Sequence, residues 1–164
     1  MKINIQNLEH DLLEFDDEVE INFLDGEIKD FYPNKAQVHV VVDKFGSDYR
    51  LKVKLATVSE NVCDRCLTEY KSRVNAKQSQ VYHAGEISSG QTSEFEYLPS
   101  NAVEIDITDM LREMIVLQHP IKMLCREDCS GLCPRCGADL NNEECRCASD
   151  NIDPRWEQLR KLIK

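Results

Sequence analysis

The sequence predicts an α+β protein. Its N-terminal body is antiparallel and β-rich, an open sheet or barrel-like, and is followed by an amphipathic helix, a small cysteine-rich metal-binding segment and a short C-terminal helix. Three stretches carry this prediction. QVHVVVD (37–43) and YRLKVKL (49–55) alternate as strands flanking Phe45-Gly46-Ser47-Asp48, which supplies turn chemistry. DITDMLREMIVLQ (106–118) has apolar residues at helical spacing. CREDCSGLCPRCGADLNNEECRC (125–147) holds six of the eight cysteines.

Taken in order, the opening MKINI and the later VEINF (19–23) alternate like strands, with an ambiguous stretch between them and a turn at Asp25-Gly26. In the hairpin that follows, Leu51, Val53 and Leu55 share one face while Arg50, Lys52 and Lys54 point to water, so one face is buried. A second hairpin turns at Cys63–Cys66 and returns through KSRVNAKQSQVYH, a polar strand that belongs at a sheet edge. Residues 83–101 collect Gly, Ser, Thr and Pro and predict a flexible loop.

The helix at 106–118 can be capped by Asp106, and Pro120 ends it by disfavouring helix at His119. A last helix, PRWEQLRKLIK, begins at Pro154 with Asp153 as its cap. The expected division is a β-rich body over 1–101, carrying the Cys63/Cys66 hairpin, and a second unit over 102–164 with its cysteine-rich part at 121–148.

The chain has 164 residues, of which 30% are charged and 41% hydrophobic, with net charge −10. That composition is globular rather than disordered, and no apolar run approaches the roughly 18 residues of a membrane helix. The acidic opening lacks the pattern of a secretory signal, so the expected location is cytoplasmic. There, clustered thiols bind metal or do redox chemistry more often than they form disulfides. Acidity also disfavours broad adhesion to nucleic acid, although the two cysteine-bearing segments, 61–80 and 121–164, are less acidic than the rest.

Cys133-Pro134-Arg135-Cys136-Gly137 has the pattern of a zinc knuckle, which brings two thiolates to one metal. The other two ligands come from Cys125, Cys129, Cys145 and Cys147, and the spacing leaves the choice of four among the six open. Zinc in a closed structural site is favoured over an iron–sulfur cluster, because the C-x2-C-x2-C-x3-C-P run is absent.

Cys63-Asp64-Arg65-Cys66 is a lone CxxC with three readings: a second metal half-site completed by thiols from 125–147, small buried residues at a turn, or a redox pair. The histidines at 10, 39, 83 and 119 show no paired-ligand spacing, and no catalytic constellation or small-molecule site is evident. Two basic islands are candidate partner or RNA contacts: Arg65, Lys71 and Arg73 around the CxxC, and Arg155, Arg160 and Lys161 on the last helix.

In this order, CDRCLTEY, the helix leading into CSGLCPRCGADLNNEECRC, and the closing DPRWEQLRKLI resemble the YceD-like family, the large ribosomal RNA subunit accumulation proteins. The resemblance runs from about residue 35 to the end. The family's CxxCL motif falls on Cys63, Cys66 and Leu67, and its GLCPxCG element on Gly131, Leu132, Cys133, Pro134, Cys136 and Gly137.

The resemblance implies a non-catalytic role in large-subunit rRNA accumulation or processing. The implied partner is the large ribosomal subunit or its rRNA precursor, met directly or through a ribosomal protein. Family members that lack most of these cysteines imply that metal shapes the C-terminal segment rather than performing the shared role. Two other classes compete: a chaperone-like binder of a basic ribosomal protein, and a thiol redox protein using Cys63 and Cys66.

Overall fold

The computed structural model describes residues 1–6, 8, 12–85 and 96–147. The C-terminal helix expected from Pro154 onward, with Arg155, Arg160 and Lys161, lies outside the described residues, as do residues 86–95 of the expected loop. Seven strands and one α-helix follow in order: β1 (Lys2–Asn4), β2 (Leu12–Val19), a 3₁₀ segment (Gly26–Phe31), β3 (Ala36–Phe45), β4 (Asp48–Val62), β5 (Glu69–Ala84), β6 (Glu96–Leu98), β7 (Glu104–Asp106) and α1 (Thr108–Gln118). They make an open five-stranded sheet, β2-β3-β4-β5-β6, and a two-stranded sheet, β1-β7. All pairings are antiparallel except β5 with β6.

The alternation that predicted the central hairpin is what buries it. Val38, Val40 and Val42 of β3 and Leu51, Val53 and Leu55 of β4 are all at most 1% exposed. They line the inner face, against Ile3 of β1, Ile105 of β7 and the buried side of α1, namely Met110, Leu111, Met114 and Ile115. One residue before the cap position Ile107, the Asp106 carboxylate accepts the Thr108 N–H at 2.9 Å, satisfying a first-turn donor. At the other end His119 turns extended (ψ 123°) ahead of Pro120, and its Nδ1 meets the Tyr32 hydroxyl at 3.2 Å.

The N-terminal expectation is corrected. The strand lies at Leu12–Val19, the stretch that was ambiguous in sequence, whereas residues 20–23 of VEINF form none. Pairing with β3 sets Leu13 and Phe15 opposite Val42 and Val40, while Glu14, Asp16 and Glu18 take the other face. A strand also sits in the expected 83–101 loop, since β6 adds parallel to the end of β5 at Tyr82–Ala84. Over the rest of its length β5 has no outer neighbour among the described residues, which agrees with its polar, edge-like sequence.

β4 outruns β3. The β3–β4 ladder stops at Ala56, whereas β4 and β5 pair on to Val62 and Glu69. The hairpin therefore projects as a two-stranded arm, with Cys63–Cys66 at its tip. The inward row of β4 changes character along the arm, from Leu55 to buried Thr57, Ser59 and Asn61 and then to Cys63. Thr57 donates to the Lys35 carbonyl at 3.2 Å and the Asn61 amide donates to Ser59 Oγ at 2.8 Å. No described helix is long and apolar enough to cross a membrane.

Candidate metal centres

The eight cysteines fall into two groups of four: Cys63, Cys66, Cys125 and Cys129, and Cys133, Cys136, Cys145 and Cys147. Within each group all sulfurs lie within 4.8 Å of one another. Cys63–Cys129 and Cys66–Cys125 are 3.8 and 3.6 Å apart. Cys133–Cys145, Cys133–Cys147 and Cys136–Cys145 are 3.4, 3.9 and 3.9 Å apart. Sulfurs held about 2.3 Å from a central ion in a tetrahedron stand about 3.8 Å apart, which is the spacing seen. All eight are free cysteines. Each group therefore fits one tetrahedral ion with four protein ligands.

The two CxxC turns share one backbone design. Leu67 N–H donates to the Cys63 carbonyl and Gly137 N–H to the Cys133 carbonyl, both at 2.9 Å. Cys63 N–H reaches the Thr68 carbonyl at 2.9 Å and Cys133 N–H the Ala138 carbonyl at 2.8 Å. The residue after the second cysteine is left-handed in both, Leu67 at φ +59° and Gly137 at φ +73°. The sequence marked only the second turn as a knuckle, because only there does glycine hold the left-handed position. Cys63–Cys66 joins two strands and opens no helix, so it lacks the setting of a thioredoxin-type redox pair.

The thiols do not ionise alike. Burial opposes ionisation of Cys63, but N–H groups of Cys125, Cys66 and Arg65 aimed at its sulfur bring it down to about 6. The Ala138 and Arg146 N–H groups hold Cys136 to about 6 as well. Burial first, then the neighbouring thiols, push Cys125 up to about 12, and hydrogen bonding to Cys136 with burial does the same to Cys147. Four sulfurs this close cannot all ionise without a cation among them, and a divalent ion removes that conflict.

Half of the first group and all of the second come from the segment after α1, which is tied to the arm's tip by hydrogen bonds from both sides. Asp64 N–H donates to the Met123 carbonyl, and Met123 N–H returns to the Asp64 carboxylate, each at 2.8 Å. Arg65 donates from its guanidinium to the Cys129 carbonyl at 2.7 Å, and its own carbonyl accepts the Leu132 N–H at 2.8 Å. Gly131 packs so close that an added Cβ would stand 2.8 Å from the Arg65 carbonyl oxygen. Of the residues expected to contact partners, Arg65 is thus committed to this junction. Lys71 pairs with Glu60 at 2.6 Å, and Arg73 is exposed on the arm.

Asn141, which the sequence reading passed over, lies between Cys136 and Cys145 in the chain and reaches back to the first group. Its side-chain carbonyl accepts from Ser130 N–H at 2.8 Å and Arg126 at 2.7 Å. Its amide donates to the Asp139 carboxylate at 2.7 Å and reaches Cys129 Sγ at 3.5 Å. Between residues 120 and 147 the buried positions are Cys129, Gly131, Cys133 and Ala138, and one isolated bridge, Leu132–Asp139, is the only strand-like pairing. Apart from the small cluster in which Leu124, Cys125 and Cys129 pack with Cys63, Cys66 and Tyr70, the segment has no apolar core to order it, and ions held by the two cysteine groups would supply that energy.

The family described as "Large ribosomal RNA subunit accumulation protein YceD" matches residues 51–163, from within β4 through both cysteine groups. The chain is similar to an uncharacterized protein of Mycobacterium tuberculosis, 31% identical over 112 residues that cover 68% of this chain and 53% of that protein. It is also similar to the chloroplastic large ribosomal RNA subunit accumulation protein YCED homolog 1 of Arabidopsis thaliana, 33% identical over 66 residues (40% and 21% of the two chains). YlbN, an uncharacterized protein of Bacillus subtilis, is 26% identical over 162 residues, covering 92% and 88%. The chain spans about half the length of the mycobacterial relatives it matches. No solved structure matches it.

Proposed function

Because the chain belongs to the family of large ribosomal RNA subunit accumulation proteins, we propose that it is a non-catalytic factor in the accumulation or processing of large-subunit rRNA, acting in the cytoplasm. The observation that carries this reading is the span of the family match, which takes in the arm, the helix and the whole cysteine-bearing segment. The plant relatives that bear the accumulation-protein name match over a shorter stretch.

Each cysteine group holds one structural zinc ion on this reading. An all-thiolate tetrahedral set suits zinc rather than hard cations, and four protein ligands leave no open position for substrate. Mononuclear iron shares this geometry, so elemental analysis of the purified protein decides the metal. Two equivalents of zinc per chain are expected, and iron in their place overturns the assignment.

Partner contact is made by the arm and by the basic C-terminal segment, with Lys71 and Arg73 exposed near the tip and Arg155, Arg160 and Lys161 beyond the described residues. A second reading draws on the acidic outer row of β2, Glu14, Asp16 and Glu18, which suits a basic ribosomal protein.

Sedimentation of the tagged protein from lysate, with and without RNase, tests the main reading. Migration with large-subunit particles or their precursors is expected, and RNase should abolish it. A protein that stays at the top of every low-salt gradient is not a particle-associated factor. Salt-sensitive capture of a basic protein after complete RNase digestion would favour the second reading.

A further inference from the structure

We propose that the outer face of strands β4 and β5 is a docking surface for the phosphate backbone of RNA, an inference that rests on the ribosomal reading above. The face is graded across the sheet. On β2 it presents Glu14, Asp16 and Glu18, and on β3 Gln37, His39 and Val41, with Asp43 at the far end. On β4 and β5 it turns basic with Lys52, Lys54, Arg73 and Lys77, all exposed.

Two features set this patch apart from an ordinary solvated face. Lys54 and Lys77 are direct cross-strand partners, an arrangement that destabilises a sheet unless something anionic meets it. Among the described residues, moreover, none of Lys52, Lys54, Arg73 and Lys77 has an ion-pair partner, although the chain carries net charge −10. In so acidic a chain, four exposed cations with no ion-pair partner suit an anion from outside.

The same geometry argues for a backbone ligand. Outward positions 50 to 60 of β4 and 71 to 81 of β5 hold no aromatic ring, so there is no platform for stacking bases. What they offer is Lys52 and Lys54 about 7 Å apart on β4, and Arg73 and Lys77 about 13 Å apart on β5 with Asn75 between them. Small Ala56 lies in a shallow groove of about 540 Å³ beside these cations, lined by Arg73, by Lys71, which pairs with Glu60, and by the Lys35–Glu18 ion pair. The acidic row of β2 lies two inter-strand spacings from β4, about 10 Å and close to one Debye length. It repels phosphate at that edge and confines the strand of RNA to β4 and β5, short of Glu60 and Glu69 near the arm's tip.

The test compares the full chain with the K52Q/K54Q/R73Q/K77Q variant, whose four side chains are exposed and whose fold and metal content are checked by circular dichroism and elemental analysis. A short duplex of large-subunit rRNA sequence is titrated by fluorescence anisotropy across a salt series. Each phosphate contact contributes about 0.7–0.9 to the log–log salt slope, so the variant's slope should be shallower by about 3 and its affinity lower by on the order of tenfold or more. Equal slopes and affinities overturn the proposal.

Lysate gradients separate this failure from that of the ribosomal reading. If both proteins migrate with particles and leave them at the same salt, the surface is wrong and the reading stands. If neither migrates with particles but the slopes differ as expected, the surface stands and the reading fails. If migration needs the four cations yet survives complete RNase digestion, the occupant is an acidic protein and the RNA assignment is overturned.

Discussion

Leu67 and Gly137 occupy the same place in two equivalent turns, but at different conformational cost. A left-handed backbone costs an L residue about 1–2 kcal/mol and glycine little. Leu67 is 64% exposed and gives back little packing for that cost. Leu67→Gly should therefore raise stability by about 0.5–1 kcal/mol in urea unfolding, the gain trimmed by glycine's freedom in the unfolded chain. Gly131→Ala should do the reverse. Its φ of +75° and the Arg65 carbonyl 2.8 Å from the added Cβ leave no room, and a loss on the order of 2 kcal/mol is expected. If G131A is as stable as the parent, the tip and the segment do not meet as described. Neither position declared its role in sequence. Leu67 looks like any leucine, and the contact at Gly131 comes from a residue 66 positions earlier.

At the level of elements, the arm and the segment after α1 depend on each other through one metal group, while the other group is local to the segment. In the first group Cys63 and Cys129 are 0% and 2% exposed, whereas in the second Cys136 and Cys145 are exposed. A competing chelator should thus withdraw metal in two phases, the second group first. Cys136→Ser should remove the fast phase and Cys63→Ser the slow one, each halving metal content. Cys63→Ser should cost more stability, because it releases a closure that spans 66 positions. A single phase lost equally in both variants would mean that the two groups exchange metal as one unit. The cysteines were legible as ligands in sequence, but their partition was not. Spacings of x3 and x1 around a knuckle do not choose partners, and the choice is made by the arm that carries Cys63 and Cys66 to Cys125 and Cys129.

Over the whole molecule, what was legible followed from local periodicity. The β3–β4 hairpin, the return strand β5 and helix α1 all announce themselves by alternation or helical spacing. The β1–β7 pair does not, since three residues at each end of a long span meet only because Ile3 and Ile105 share the core. β2 was obscured by its acids, which have low strand propensity yet cost nothing on a solvated edge. Proton competition also acts on the molecule as a whole. Metal needs thiolates, so affinity falls as pH falls, and dialysis at about pH 5 should strip metal that is retained at about pH 7.5, the second group losing it first. Full retention at the lower pH would mean that the sites hold metal too tightly for protons to displace it there. The separation of Cys63 from Cys129 by 66 positions also bears on how the chain is made. During synthesis the CxxC of the arm emerges long before its partners and stands as a half-site, open to the wrong ion or to oxidation. Cys133 to Cys147 emerge almost together and can load at once. Cys125 and Cys129 nonetheless emerge before Cys133, so the arm's set of four is complete first, after the longer wait.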